Sequence, residues 1–222
     1  MTKNFSEDSW SVCLAFSSIL ASFAWIQAES LPWYLISLSF LLISYIIFPI
    51  TIKEDLTLAD FITLFRFTLV IGTSYLIVVK NETNLMIQLI IILAILLDGV
   101  DGFCARRFGS SASGALLDME ADSIITLVLC LISVHIFKLP LWICMIGLWR
   151  SVYVLLCKFN LVQSRIHPKS SLFGKSVCII TLSVLIFNLS SNFSLESKII
   201  PSLIALVLIS ISFLRGIQLA PR

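Results

Sequence analysis

Residues Asp98 to Asp122 read DGVDGFCARRFGSSASGALLDMEAD. Four aspartates, Asp98, Asp101, Asp118 and Asp122, stand here between two long apolar runs. A carboxylate at mid-bilayer costs roughly 2.5–3.5 kcal/mol on insertion scales, so four in one place imply something that binds them. Asp98 and Asp101 are three residues apart and Asp118 and Asp122 four apart, so on helices each pair shares a face. Two such helices side by side would surround one small volume with carboxylates. Cations stabilise that arrangement, and an oxygen-only donor set suits hard ions such as Mg²⁺, Mn²⁺ or Ca²⁺. Gly99, Gly102 and Ala105 keep the first helix thin beside the first pair. Arg106 and Arg107 follow, where a metal-bound diphosphate would want its charge balanced. Gly109, Ser110, Ser111 and Ser113 read as a turn, and Gly114 shares a helical face with Asp118. The stretch describes a metal-bound phosphate site with a slot for a flat group.

Composition sets the surroundings. The 222 residues are 59% hydrophobic and 13% charged, with a mean hydropathy of +1.04. Soluble domains carry about 25% charged residues, so this is an integral membrane protein. A formal net charge of +2 gives no reason to expect nucleic acid as a partner. The six cysteines are scattered singly without a C-x-x-C, which reads as reduced thiols. Apolar runs at approximately 10–27, 33–50, 61–79, 85–103, 114–136, 140–157, 176–190 and 199–215 each approach the ~20 residues that span a bilayer. The expected fold is an all-α polytopic transmembrane helix bundle. The N-terminal MTKNFSEDSW does not resemble a cleavable signal. With a cytoplasmic N-terminus, ten Lys and Arg fall inside, and only Lys80, Lys138 and Lys198 fall outside. That topology places both aspartate pairs at the cytoplasmic ends of their helices.

The order D-x-x-D-G-x-x-A-R, then G-x-x-x-D-x-x-x-D, closely resembles the signature of the CDP-alcohol phosphotransferases. Asp98, Asp101, Gly102, Ala105, Arg106, Gly114, Asp118 and Asp122 match it, with a spacer one residue shorter than most members carry. Upstream, Thr63 and Arg66 match a further element, P-N-x-L-T-x-x-R, from which Ala59 and Asp60 depart. Arg150 resembles an arginine that binds the acceptor's phosphate in phosphatidyltransferases. Gly174-Lys175 resembles the start of a G-K-x-K-T element in glycerol-phosphate transferases, with Val177 replacing the second lysine.

The resemblance implies a six-helix core over residues 57–222, preceded by an added helix pair in 1–56. It implies two divalent ions, Mg²⁺ or Mn²⁺, on Asp98, Asp101, Asp118 and Asp122, with Asp122 also taking the proton from the acceptor hydroxyl. Thr63, Arg66, Gly102, Ala105, Arg106 and Gly114 would contact the nucleotide and its phosphates. The implied reaction moves a phosphatidyl group from a CDP-alcohol, foremost CDP-diacylglycerol, to an alcohol and releases CMP. A homodimer is also implied, in a bacterial inner membrane with the site on the cytoplasmic side.

Arg150, Lys175 and the basic loop from Arg165 favour a phosphorylated acceptor such as glycerol 3-phosphate or inositol phosphate, because a neutral alcohol would leave those charges without partners. The alternatives are a neutral acceptor, CDP-choline or CDP-ethanolamine as donor, or a cation transporter. Glu120 points to another helical face than the aspartates and reads as a supporting or helix-packing carboxylate. Arg66 within its span needs a partner, a ligand, or a path for its side chain to the headgroups. His135 and His167 lack metal-ligand spacing. The loop carrying His167 reads either as a phosphate site or as an anchor on anionic headgroups.

Overall fold

The chain is seen in a computed structural model, described for residues 2–27, 31–51, 57–108, 112–159, 162–164 and 172–219. Within these, the side chains of 2–8, 48–51, 101–108, 112–113, 162–164, 172 and 216–219 lie outside the description. Among the described residues, eight α-helices follow the eight apolar runs: α1 Thr2–Gln27, α2 Leu31–Thr51, α3 Leu58–Lys80, α4 Leu85–Phe108, α5 Ala112–Phe137, α6 Cys144–Lys158, α7 Leu172–Asn188 and α8 Leu195–Gly216. Four described stretches are long and apolar enough to cross a membrane: Ser9–Gln27, Leu58–Lys80, Leu141–Lys158 and Leu195–Arg215. The protein is an all-α membrane bundle. Among the described residues, β1 Val162–Ser164 pairs antiparallel with β2 Ile217–Leu219 over three residues, a pairing that the apolar runs do not foreshadow.

Local chemistry sets the helix ends. Thr57 caps α3 through a capping box: its hydroxyl accepts from the Asp60 amide, and the Asp60 carboxylate accepts from the Thr57 amide at 2.7 Å. This gives Asp60, which departs from the family element, a structural role. Asn81 closes α3 in the left-handed region at φ 53°. Pro140 caps a 3-10 turn, Leu141–Ile143, that feeds directly into α6. Inside the helices, hydroxyls bond back to the preceding turn, as Thr73, Ser74, Ser133 and Ser202 do. In an apolar medium this satisfies a side chain that would otherwise be a buried orphan.

The centre of the bundle is α5. Leu127 to Ile132 are all essentially inaccessible, enclosed by α1, α3, α6 and α7. Helices α1 and α2 pair with each other; α1 packs on α5 and α6, and α2 on α3. Large apolar side chains such as Phe16, Phe23, Leu93, Ile200 and Leu203 face outward, as lipid contact requires. The five cysteines with described side chains are free, and Cys130 and Cys144 are buried.

Helix α6 lies tight against α5 at Gly147, where an added Cβ would land on the backbone of Leu127. Alanine gains about 1 kcal/mol of helix propensity over glycine. Overpacking against backbone, which cannot rotate away, typically costs about 1–3 kcal/mol and decides the sign. Gly147→Ala should therefore lower the thermal midpoint of the detergent-solubilised protein. An unchanged or raised midpoint would show that α5 and α6 are not in contact there.

Candidate active site

The structure brings three helix ends to one end of the bundle. These are the start of α3, the end of α4 and the start of α5. Arg66 lies two turns into α3, Asp98 ten residues before the end of α4, and Asp118 and Asp122 in the first turns of α5. One carboxylate oxygen each from Asp98, Asp118 and Asp122 lies within 4.8 Å of the others. The i, i+4 spacing of Asp118 and Asp122 puts both on the α5 face that meets α3.

Among these oxygens sits the guanidinium of Arg66. Its Nη2 donates to Asp118 Oδ1 at 2.6 Å and to Asp122 Oδ1 at 2.8 Å, and its Nη1 donates to Asp98 Oδ1. The arginine side chain is 2% exposed, whereas Asp98, Asp118 and Asp122 are 46%, 41% and 34% exposed. Arg66 therefore forms the floor and the carboxylates the open rim. It does not snorkel; its partner is the acid cluster itself. Only about 10 Å³ is left free between Arg66, Asp98, Asp122 and Leu182 on the inner side.

Three carboxylates against one guanidinium leave two negative charges among the described groups. Each carboxylate oxygen keeps lone pairs beyond the one given to arginine. An all-oxygen, net-negative, outward-facing rim fits a hard divalent cation. Asp101, Gly102, Ala105 and Arg106 lie on the last turns of α4, with side chains outside the described residues. Beside Asp98, Gly99 borders open space: an added Cβ would meet nothing within 4 Å. Thr63 is buried one turn before Arg66, and its hydroxyl donates to the Ala59 carbonyl at 3.1 Å. Gly114 is half-buried at the start of α5.

A cavity of about 260 Å³ opens next to the cluster, between α5, α6, α7 and α8. Asp122 and Arg150 both line it. Arg150 was expected to await an acceptor phosphate, but its Nη2 donates to Glu120 Oε1 at 2.7 Å. The Arg150 charge thus has a protein partner as well. Glu120 and Arg150 sit on facing turns of α5 and α6, and neither charge is stable alone in so dry a place. Lys175 stands exposed in the first turn of α7, beside the lining residue Gly174. The loop around Arg165 and His167 lies outside the described residues.

The sequence reading did not single out Tyr45 of α2. It is fully buried, packs its ring 4.0 Å from that of Phe67, and donates its hydroxyl to the Leu117 carbonyl at 3.0 Å. It thereby holds the α5 backbone one residue before Asp118. A buried tyrosine in an apolar span must find a hydrogen-bond partner, and that requirement was the one available signal.

Arg66→Gln would leave the three carboxylates facing one another without their counter-charge. Removing one partner of a fully buried pair costs about 3–5 kcal/mol; these acids are a third to a half exposed, so about 1–3 kcal/mol is expected. In chelator, the variant should melt several degrees below the wild type, and added Mn²⁺ should raise its midpoint by more. A wild-type midpoint in chelator would contradict the guanidinium floor.

The profile of the CDP-alcohol phosphatidyltransferase family matches residues 56–214. No curated protein and no solved structure matches the chain. With that profile covering most of the sequence, and with the helix-borne carboxylates gathered at one end of a membrane bundle, the chain belongs to the CDP-alcohol phosphatidyltransferase family.

Proposed function

We propose that the protein transfers a phosphatidyl group from CDP-diacylglycerol to the hydroxyl of a small alcohol and releases CMP, as a step in phospholipid synthesis. The observation that carries this reading is the rim of Asp98, Asp118 and Asp122 above Arg66, with Asp122 also lining the adjoining cavity. A diphosphate laid over the rim would stand between the acids and the cavity. Two divalent ions, Mg²⁺ or Mn²⁺, held by Asp98, Asp118 and Asp122 together with Asp101, would supply positive charge against that diphosphate and the departing CMP.

The residues of the chain do the rest. Arg66 holds the three carboxylates in one geometry without competing for the outer face. Arg106, Gly102 and Ala105, on the last turns of α4, are the proposed contacts of the nucleotide and its phosphates. The exposed flank of α4 beside Asp98, with Leu96, Gly99 and Val100, offers lipid tails an apolar approach from the bilayer.

In the transfer itself, the acceptor oxygen forms a bond to the phosphorus that bears the diacylglycerol. The bond from that phosphorus to the bridging oxygen breaks, and CMP leaves with the electron pair. Asp122 takes the hydroxyl proton, which passes on to solvent. The site is assigned to the cytoplasmic face, where the positive-inside count puts it. Residues 57–222 are proposed as the catalytic core. The first two helices support it, with Tyr45 the contact that reaches closest to the acids.

Purified protein with CDP-diacylglycerol and a panel of alcohols should release CMP with Mg²⁺ or Mn²⁺ present and stop in EDTA. Asp122→Asn should cut turnover by ~10²–10⁴-fold, the usual range for loss of a general base, while donor binding persists. Full turnover in EDTA, or wild-type turnover by Asp122→Asn, would contradict the reading.

A further inference from the structure

The cavity beside Asp122 is far larger than the ~10–15 Å³ that admits a single water, so it has room for a small molecule. Its described charged lining consists of Asp122 and Arg150. The Arg150 charge is already matched by Glu120, whose side chain is 5% exposed. Asp122 is itself paired with Arg66 at 2.8 Å, so both described charges of this wall have partners. A phosphate monoester would bring a negative charge to a wall whose described cation, Arg150, is already matched.

Two polar atoms belonging to wall residues have no hydrogen-bond partner among the described residues: Arg150 Nε and Thr181 Oγ1. Thr181 is 2% exposed. A guanidinium N–H donates only, and a threonine hydroxyl both donates and accepts. Neutral hydroxyls can serve as partners to both. Ser123 and Ser212 add two more hydroxyl-bearing side chains to the same lining.

Resting on the transfer reading above, we propose that the acceptor seated in this cavity is an uncharged polyhydroxy alcohol, and that Glu120 sets this preference by neutralising Arg150. Asp122 lines the same cavity, so an acceptor held there presents a hydroxyl to the proposed base. Glu120 touches no substrate atom; it acts through Arg150.

The test compares glycerol and myo-inositol with their own phosphate monoesters, and ethanolamine as a cationic probe. Binding is measured by calorimetry on the full-length protein in detergent. Each neutral alcohol should bind roughly tenfold tighter than its phosphate ester, the effect of about one net hydrogen bond or charge contact. Glu120→Gln keeps the volume and frees the Arg150 charge, and it should move that ratio about tenfold towards the ester.

A tighter phosphate ester or a tighter ethanolamine in the wild type overturns the proposal, even if Glu120→Gln does not fold. So does an unmoved ratio in a folded variant. CMP release from CDP-diacylglycerol in the same samples separates the two levels. Release with the ester as the better acceptor overturns the acceptor class alone. The expected binding order with no CMP release from any CDP-linked donor overturns the transfer reading, and with it the acceptor role.

Discussion

The contact between Arg66 and the three carboxylates Asp98, Asp118 and Asp122 is the interaction on which the rest of this bundle depends. It joins α3, α4 and α5 through one guanidinium whose fork of donors can meet several oxygens at once. A lysine at that place would offer a point charge instead of a planar fork. Without a counter-charge, three carboxylates at this spacing would repel across a medium that screens poorly. The arginine satisfies them from beneath, and each carboxylate has acceptor capacity beyond that one contact. In the proposed function, stability and chemistry would use opposite sides of the same acids.

A second pair repeats the logic one helix further on. Glu120 and Arg150 tie α5 to α6 beside the cavity, and a pair of this kind resists removal of one partner more than it adds to stability. Helix α5 thus carries three acids with two partners: Asp118 and Asp122 turn to Arg66, and Glu120 turns to Arg150. The opposite end of the bundle holds a different kind of polar contact. Lys198 donates to the Ser190 carbonyl at 2.6 Å and lies 3.7 Å over the Phe137 ring. That lysine closes a helix junction at its end of the bundle.

Much of this was legible in the sequence for physical reasons. A helix satisfies its own backbone, so eight apolar runs in a membrane become eight helices. The spacing of Asp118 and Asp122 follows from 3.6 residues per turn, so their shared face could be read directly. The partners could not. Arg66 meets acids 32, 52 and 56 residues away, Glu120 meets Arg150 across 30, and Tyr45 reaches Leu117 across 72. Such contacts depend on which helix faces which, and local periodicity carries no record of that. The pairing of Glu120 with Arg150 is the instructive case. Each residue read alone suggested something else, a packing carboxylate and a phosphate-binding cation, and together they cancel.

Divalent-cation binding by the rim of aspartates is the step on which the proposed chemistry turns. Its most direct measurement is the electron paramagnetic resonance of Mn²⁺ titrated into the purified, substrate-free protein. The comparison is with a variant in which Asp98, Asp118 and Asp122 are all replaced by Asn. The wild type should bind Mn²⁺ saturably, and the variant should lose that binding while its circular dichroism remains helical. Equal Mn²⁺ binding by the two folded proteins would contradict the claim.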